Sequence, residues 1–310
     1  MALADAIGMP ARICRLQLRA PWSWLAPRLT WGAALALPAE LRETLHAPPQ
    51  IAIGCGRHAA LALRLLRERS AGKTFCVQIL DPRIAAKNFD LVVAPQHDQL
   101  AGTNVLTTLG ALNPIDDVWL GDGARKFDSL RTLPTPRTAV LIGASNRAQT
   151  LDHDYFDALF ARLISLHQRD GGSFLVTTSR RTPSDVALHL RKMFAQFPGV
   201  FWASAADGEN PYAGFLAHAA RILVTPDSVN MLSEACASGK PVLTLARQPL
   251  RGKLASLHAN LRAAGYLQDL AMATPILPAP AQPLRETTAI AASVLRAWRS
   301  TQSNTDSVKK

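Results

Sequence analysis

The sequence predicts an α/β protein built from two Rossmann-like, doubly wound parallel sheets. Short apolar runs alternate with amphipathic stretches of helical period along nearly the whole chain. Strand and helix alternating in this way are typical of parallel sheets that carry helices on both faces. A seam at residues 130–137, which contains Pro134 and Pro136, interrupts this rhythm just before a new apolar run. We therefore divide the chain into two halves at that seam.

The predicted elements follow from the apolar runs and the turn residues that bound them. The predicted strands are residues 13–18, 50–55, 74–80, 91–95, 104–109, 138–143, 173–179, 200–203, 221–225 and 242–245. The predicted helices between them are residues 57–69, 155–168, 183–194, 228–238 and 253–264.

These elements predict a domain plan with two domains and a returning helix. The N-terminal domain covers residues 1–133 and the C-terminal domain residues 134–282. A helix at 283–300, after a proline-rich linker, is expected to pack back on the first domain, and the polar tail 301–310 is expected to be disordered. The chain opens as the end of a helix closed by Gly8, whereas a doubly wound half usually opens with a strand and a Gly-rich turn. We therefore expect the first strand of the N-terminal domain to be missing.

Composition limits the classes of function. With 48% hydrophobic and 18% charged residues, the chain is not disordered as a whole. It has no run of 18 apolar residues and no basic head followed by an apolar run, so we expect a soluble, unsecreted protein. The four cysteines are far apart and lack metal-ligand spacing. This pattern favours the reducing cytoplasm over a disulfide-bonded or zinc-stabilised fold.

The formal net charge of +11 predicts an anionic partner. Arginine is spread along the chain without the basic blocks and interleaved aromatics of a nucleic-acid groove, so we expect no nucleic acid partner. A phosphorylated small molecule and an acidic membrane face remain. The segment with Trp22, Trp24 and Trp31 also carries Arg12, Arg15, Arg19 and Arg28, a combination that membrane interfaces favour. A packed loop with snorkelling arginines is the competing and favoured interpretation of this segment.

Two turns in the second half resemble anion sites. After the strand at 138–143, the amides of Gly143, Ala144 and Ser145 could face a phosphate, with Arg147 nearby. The alternative is an ordinary strand-to-helix turn. After the strand at 173–179, Ser179, Arg180 and Arg181 precede a helix start. That start is predicted from Thr182 as the N-cap, Pro183 as the first helical residue and Asp185 as the capping-box partner, and a solvated loop is the alternative.

The stretch 222–245 is the most informative. A strand ends at Thr225, Ser228 is predicted to cap a helix, and Gly239 ends it. Glu234 then lies below the helix N-terminus, within reach of sugar hydroxyls, which suit a carboxylate because it only accepts hydrogen bonds. The alternative is an exposed helix residue, but the neighbours of Glu234 are apolar.

In the first half, His97 and Asp98 follow the strand at 91–95. An adjacent histidine and carboxylate suit proton transfer, although such a pair is also common as loop decoration.

Several motifs together resemble the bacterial members of the Elm-type mitochondrial fission family, which are also described as glycosyltransferases. They are VTPDSVNMLSEACASGKPV, TTSRRTP, NPY, ILDPR, FDLVVAPQHD and NVLTTLGA, and the match runs in order from about Ala2 to Arg296. The resemblance implies a GT-B-like pair of Rossmann domains with a ligand cleft between them. The family usually starts with a strand and a TDGKxGH-like turn, which this chain does not contain. The second half is also similar to the nucleotide-sugar domain of lipid-linked GT-B transferases, in which a Ser and a Glu spaced like Ser228 and Glu234 meet the diphosphate and the ribose.

From these patterns and the resemblance we expect sugar transfer from a nucleotide-diphosphate donor to a cell-envelope or other hydroxyl acceptor. No DxD-type carboxylate cluster ends a predicted strand, so arginines and helix dipoles would stabilise the leaving diphosphate, with no metal and no cofactor beyond the nucleotide-sugar co-substrate. The expected donor-site residues are Gly143, Ser145, Arg147, Ser179, Arg180, Arg181, Ser228 and Glu234. The expected base, from the acceptor-side domain, is His97 or Asp98.

Two other functions are carried as alternatives. One is a non-catalytic adaptor, because eukaryotic relatives are associated with recruiting the fission machinery to mitochondria. The other is a nucleotide-sugar epimerase, which would share the donor pocket and need no acceptor. The expected location is the cytoplasm, with peripheral attachment to the inner membrane face where the acceptor is lipid-linked.

Overall fold

A computed structural model describes residues 1–270 and 275–307 and divides the chain into two compact units. Unit 1 contains Met1–Leu112 and the segment that begins at Glu286, and unit 2 contains Asn113–Arg285. The boundary in the structure therefore precedes the predicted seam. Residues 113–133, which the sequence analysis assigned to the N-terminal domain, belong to unit 2 because their helix packs against another helix of that unit.

Unit 1 is built on a four-stranded parallel sheet in the order β1-β2-β3-β4. Its strands are β1 (Ile51–Cys55), β2 (Phe75–Ile79), β3 (Leu91–Pro95) and β4 (Val105–Thr108). Its helices are α1 (Ala2–Ile7), α2 (Trp22–Leu25), α3 (Ala39–His46), α4 (Gly56–Arg69) and a C-terminal helix, Thr287–Ser307. Gly8 ends α1 in the left-handed conformation, at φ 72°, as the sequence predicts.

Both faces of this sheet are covered because successive side chains of each strand point to opposite faces. Val92 and Ala94 pack with the apolar side of α4, whereas Leu91 and Val93 pack with α1 and the C-terminal helix. Glu286, just before the C-terminal helix, accepts hydrogen bonds from the backbone amides of Leu109 and Gly110 at 2.9–3.0 Å. This carboxylate ties the helix start to the end of β4.

Unit 2 is built on a six-stranded parallel sheet in the order β10-β9-β8-β5-β6-β7. Its strands are β5 (Arg137–Ile142), β6 (Ser173–Thr178), β7 (Gly199–Trp202), β8 (Arg221–Val224), β9 (Val242–Thr244) and β10 (Gln268–Asp269). Its helices are α5 (Asp117–Lys126), α6 (His153–Asp170), α7 (Ser184–Phe194), α8 (Tyr212–His218), α9 (Val229–Ala237) and α10 (Gly252–Ala263). The chain builds outward from β5 to β7 and then returns to place β8 beside β5. The order of the strands thus reverses between β5 and β8, the kind of point at which open α/β sheets bind ligands.

The predicted strand at residues 13–18 is wrong. The segment lies outside both sheets. Cys14, Leu16 and Leu18 are partly buried against the core beside α4, while Arg15 and Gln17 are exposed. The alternating pattern therefore reflects burial of one side of the segment and not pairing in a sheet.

The C-terminal helix extends further than the sequence predicts. It continues as far as Ser307, through most of the segment expected to be disordered. The hydroxyls of Ser300 and Thr301 donate to the carbonyl oxygens of Arg296 and Trp298, so polar residues here contribute to the helical turn. Residues 308–310 of the predicted tail lie outside the described residues. Among the helices that the structure describes, none is long and apolar enough to cross a membrane.

Candidate functional site

The predicted anion-binding turns of unit 2 lie at one edge of its sheet. Strands β8, β5 and β6 are neighbours, and the turns that follow them begin at Thr225, Gly143 and Ser179. The backbone amides of Ser179 and Thr225 donate to the carbonyl oxygens of Ile142 and Leu141, which joins all three strand ends. We call this edge, formed by residues 143–147, 179–182 and 225–230, the strand-end site. It coincides with the reversal of strand order in the sheet.

A buried carboxylate that the sequence analysis did not select occupies the strand-end site. Asp227 accepts hydrogen bonds from the amide of Ala144 at 3.0 Å and from the hydroxyl of Thr225 at 2.6 Å. Its carboxylate also lies 3.9 Å from the guanidinium of Arg181 and is fully buried. Burial raises the pKa of Asp227, while the hydrogen bonds from Thr225 and Ala144 and the charge of Arg181 act in the opposite direction.

The turn after β5 differs from the predicted phosphate cradle because protein groups use its first amides. The amide of Gly143 donates to the hydroxyl of Thr225 at 2.7 Å, and the amide of Ala144 donates to Asp227. A Cβ atom at position 143 would lie 2.2 Å from both carboxylate oxygens of Asp227, so only glycine fits there. The hydroxyl of Ser145 accepts from the amide of Leu151 at 2.8 Å and donates to its carbonyl oxygen at 3.2 Å. These contacts close the turn on itself.

The turn after β6 is also tied to β5. The hydroxyl of Thr182 donates to the carbonyl oxygen of Gly143 at 2.7 Å and accepts from the amide of Ser179 at 3.1 Å. Helix α7 consequently begins at Ser184, after Pro183, and no side chain caps it. The predicted capping box is wrong because the Thr182 hydroxyl bonds across to the neighbouring strand end instead of to its own helix.

Two arginines of the strand-end site are available to an anion. Arg147 and Arg180 are exposed, and within the described part of the chain neither makes an ion pair or a side-chain hydrogen bond. They follow the ends of the neighbouring strands β5 and β6. The site thus carries two unpaired positive charges in addition to the ion pair of Arg181 with Asp227.

The N-terminus of α9, which follows the predicted cap Ser228, forms the third side of the site. Ser228 is the N-cap, and its hydroxyl accepts from the amide of Met231 at 3.3 Å. The first amides of a helix have no partner within it, and the helix dipole favours an anion there. The ring of His258 is fully buried, and its Nε2 lies 2.9 Å from the carbonyl oxygen of Pro226 in the turn before α9. Burial lowers the pKa of His258 to about 4, so the ring is neutral at pH 7.

Glu234, on α9, has a partner that the sequence analysis missed. The phenol of Tyr212 donates to Oε2 of Glu234 at 2.5 Å. Burial raises the pKa of Glu234 and the hydrogen bond from Tyr212 lowers it, whereas burial and the nearby carboxylate raise the pKa of Tyr212. Tyr212 belongs to the NPY motif at 210–212, but the sequence did not reveal its contact with Glu234. This contact joins α9 to α8. Oε1 of Glu234 makes no hydrogen bond within the described residues.

His97 and Asp98 lie in unit 1, in a single 3₁₀ turn (Gln96–Asp98) directly after β3. Their side chains are only 5% and 6% exposed, and Nε2 of His97 lies 4.0 Å from Oδ1 of Asp98. The other carboxylate oxygen of Asp98 accepts from the amide of Asp81 at 3.3 Å. Asp98 therefore helps to hold the turn. The role of His97 or Asp98 as a base stays a prediction.

Among the described residues, no group of three or more His, Cys, Asp or Glu side chains is placed to hold a metal ion. The polar groups described for the strand-end site are arginines, amides, hydroxyls and the carboxylate of Asp227.

Comparison with known proteins identifies the relatives of this sequence. The family described as Mitochondrial fission ELM1 matches residues 1–298. The chain is 30% identical over 245 residues to Mitochondrial fission protein ELM1 of Arabidopsis thaliana, covering 71% of this chain and 57% of that protein. It is 25% identical over 227 residues to the uncharacterized protein RP120 of Rickettsia prowazekii, covering 63% of this chain and 64% of that protein. The chain thus spans about three-fifths of the length of these curated relatives.

Solved structures identify the fold. UDP-GlcNAc 2-epimerase from Methanocaldococcus jannaschii matches with a TM-score of 0.58 at 14% identity, over 94% of this chain and 88% of that one. UDP-GlcNAc 2-epimerase from Neisseria meningitidis, bound to UDP-GlcNAc, matches with a TM-score of 0.55 at 14% identity, over 90% and 83%. The predicted α/β class with two parallel sheets and a GT-B-like fold is confirmed.

Proposed function

We propose that this chain, which belongs to the mitochondrial fission ELM1 family, transfers a sugar from a nucleoside-diphosphate donor to a hydroxyl acceptor of the cell envelope or of another molecule. One observation carries the proposal. Two unpaired arginines and a capped helix N-terminus lie where the strand order of unit 2 reverses, and the same helix carries the partly buried carboxylate of Glu234. The first two groups suit a diphosphate and the third suits a ribose.

In this proposal the diphosphate binds at the strand-end site. Arg147 and Arg180 supply charge, and the free amides at the start of α9 supply hydrogen-bond donors. Ser228 keeps its capping role through its oxygen and offers its hydroxyl proton to a phosphate. Gly143, Ser145 and Ser179 act by shaping the turns. The same donors would stabilise the charge that develops on the leaving diphosphate, without a metal ion.

The ribose in this proposal binds to Glu234. Because Oε2 already accepts from Tyr212, Oε1 is the oxygen that would accept from a ribose hydroxyl. Tyr212 fixes the rotamer of the carboxylate, which lowers the entropy that binding must remove.

We further propose that His97 or Asp98 deprotonates the acceptor hydroxyl. Histidine is a residue type suited to act as a base near neutral pH, and Asp98 would orient the His97 ring. Because both side chains are nearly buried, an acceptor must displace part of the turn to reach them. Separate His97→Ala and Asp98→Asn variants should lose turnover and keep donor affinity. Unchanged turnover in both, or losses of affinity that match the losses of turnover, would end this part of the proposal.

The experiment that tests the function is a screen of donors. UDP-, GDP-, CMP- and ADP-linked sugars are compared by thermal shift and calorimetry. The proposal expects one nucleoside-diphosphate class to raise the melting temperature and to bind with measurable heat. A flat response across the whole panel contradicts it.

Some of the observations that support sugar transfer also support two other functions. An epimerase would use the same donor site, and two of the solved structures similar in fold are UDP-GlcNAc 2-epimerases. Incubation with the donor alone separates the two, since only an epimerase changes the sugar without an acceptor. A non-catalytic adaptor agrees with the description of the family. The retained Glu234 and Arg180 favour an enzyme, and an adaptor would give no nucleotide response in the screen.

A further inference from the structure

A cluster of large apolar side chains is exposed on unit 1. Trp24, Trp31 and Leu35 are 75%, 84% and 76% exposed, and Leu25 beside them is also exposed. All four come from α2 and the segment that follows it. Single exposed apolar residues are normal, but several within one short segment mark an interaction surface. We call these four residues, with the arginines described below, the tryptophan surface.

The structure separates three tryptophans that the sequence groups together. Trp22 is half-buried, packs against the core beside α4, and donates from its indole nitrogen to the carbonyl oxygen of Trp31 at 3.0 Å. Gly32 has a φ of 66°, and a Cβ there would lie 3.2 Å from the Trp22 ring. Trp22 is thus the internal anchor of the segment, whereas Trp24 and Trp31 face the solvent.

The segment is fixed to α4, so its exposed tryptophans are held in place. The imidazole of His58 lies 3.1 Å from the carbonyl oxygen of Ser23. The guanidinium of Arg64 donates to the carbonyl oxygens of Pro27 and Arg28 at 2.5 and 3.0 Å. A segment that is already ordered loses little conformational entropy when it docks.

The charged side chains of this segment of the sequence all have one sign. The sequence contains no Asp or Glu between Asp5 and Glu40, and this interval holds Arg12, Arg15, Arg19 and Arg28. All four arginines are exposed. Arg12 lies 3.9 Å from Glu40, both well exposed, and the other three make no ion pair among the residues described. The tryptophan surface therefore combines exposed apolar side chains with a net positive charge.

We infer that the tryptophan surface docks the chain on an anionic lipid bilayer. Indole rings favour the boundary between headgroups and acyl chains, and neighbouring arginines favour the negative lipid surface. The charge complementarity selects a bilayer over an apolar protein groove, which would leave the arginines unpaired. This inference does not depend on sugar transfer, and it concerns a surface remote in sequence from the strand-end site.

The test is flotation of the full chain with vesicles. One set contains phosphatidylcholine alone and the other about one-third phosphatidylglycerol, each at about 0.05 M and about 0.5 M salt. Trp24→Ser/Trp31→Ser removes the apolar part, with Val118→Ser/Leu188→Ser as a control at exposed apolar residues of unit 2. Arg15→Gln/Arg19→Gln removes charge, with Lys192→Gln/Arg251→Gln as a control at exposed cations elsewhere. Circular dichroism checks that each variant is folded.

We expect binding to anionic vesicles at low salt that falls at high salt, with little binding to neutral vesicles. Each arginine removed should weaken binding about five-fold, the tryptophan variant should lose most of it, and both controls should bind like the parent chain. Equal binding to neutral and anionic vesicles overturns the electrostatic part. Absence of binding, or tryptophan and control variants that bind alike, overturns the inference. If the parent chain instead self-associates in sedimentation and Trp24→Ser/Trp31→Ser abolishes this, the surface is a protein interface and the inference is wrong.

Discussion

Asp227 joins three turns of the strand-end site through its own carboxylate. It bonds to Ala144 after β5, to Thr225 after β8 and, by charge, to Arg181 after β6. A carboxylate in this position takes the place that the sequence analysis gave to a phosphate. A bound diphosphate would therefore sit beside Asp227, contacting the arginines and α9, and not in the turn of Gly143.

Two replacements of Asp227 should distinguish its role as a buried hydrogen-bond acceptor from the effect of its charge. Asp227→Ala leaves the Ala144 amide and the Thr225 hydroxyl without their partner in a buried place, and should lower the free energy of unfolding by about 1–3 kcal/mol. Asp227→Asn keeps an acceptor for Ala144 and should cost less. Urea unfolding monitored by circular dichroism measures both. Equal stability of the alanine variant and the parent would contradict this role.

The pH dependence of Asp227 has a definite sign. Its folded pKa is raised by burial, so the folded state holds the proton more tightly than the unfolded state, whose pKa is about 3.9. The stability contributed by that proton is complete below the unfolded pKa and is lost as pH rises through the folded pKa. Asp227→Asn should remove this loss. The unfolding free energy of the asparagine variant, relative to the parent, should therefore increase as the pH is raised from about 3 towards about 7, and a flat difference would contradict the prediction.

Glu234 and Tyr212 should affect ribose recognition and leave the diphosphate contacts unchanged. Glu234→Gln should weaken binding of a nucleoside diphosphate about ten-fold or more, since it replaces a charged acceptor. It should have little effect on a 2′,3′-dideoxy nucleotide, which lacks the hydroxyls. Tyr212→Phe removes a hydrogen bond that lowers the pKa of Glu234, so this pKa should rise and the loss of affinity at acidic pH should begin at a higher pH. Equal weakening of both nucleotides by Glu234→Gln would contradict ribose recognition by this carboxylate.

The residue types of the site could be predicted from the sequence more easily than the contacts between them. Ser228 was identified as a cap because a cap bonds within its own helix. Asp227 was missed because its amide partner, Ala144, lies 83 residues away in the sequence. The available signal was an aspartate directly before a capping serine in an apolar stretch, where a solvated carboxylate is uncommon.

At the scale of elements, the contact of α5 with α8 assigns residues 113–133 to unit 2. Gly123 allows the two helices to approach this closely, because a Cβ atom at this position would lie 2.7–2.8 Å from the backbone of Ala213. Gly121, in the same helix, has room, since the end of the Arg125 side chain, at 3.5 Å, is the one described group that its Cβ would meet. The two glycines therefore lie in the same helix but differ in how closely another helix packs against them.

A matched pair of glycine variants tests this packing. Gly123→Ala should push α5 away from α8 and lower the free energy of unfolding by about 1–3 kcal/mol. Gly121→Ala should raise it by about 0.5–1 kcal/mol, because alanine favours the helix. Thermal and urea unfolding measure both. If the two variants change stability in the same direction and by similar amounts, the close approach of the helices is not a determinant of stability.

Strands of the sheet interiors were predictable, and short surface elements were not. Residues 91–95 form β3 with the predicted bounds because an unbroken apolar run is buried on both faces of a parallel sheet. Helix α5 contains two glycines and α8 has only seven residues, so neither shows a strong helical period. Residues 13–18 show the period of a strand without the partner that a strand needs.

At the scale of the whole molecule, two surfaces each carry a group of exposed arginines. Unit 2 carries the arginines of the strand-end site, and unit 1 carries those of the tryptophan surface. The net charge of +11 predicted an anionic partner but could not distinguish a diphosphate from a lipid surface, because both attract arginine. Only the neighbours of each arginine separate these partners. Family membership and fold class were predictable, because ordered motifs and strand–helix alternation extend over the whole sequence.

Calorimetric titration of the strand-end site with nucleoside diphosphates tests the central claim most directly. UDP, GDP, CDP and ADP are titrated into the parent chain, into Arg147→Gln/Arg180→Gln and into the matched Lys192→Gln/Arg251→Gln control. We predict that at least one nucleotide binds the parent and the control alike, and binds the strand-end variant at least about ten-fold more weakly, as expected for the loss of two charge-assisted contacts. Absence of heat with all four nucleotides, or equal affinity in the strand-end variant, would contradict the assignment of this edge of unit 2 as a nucleotide site.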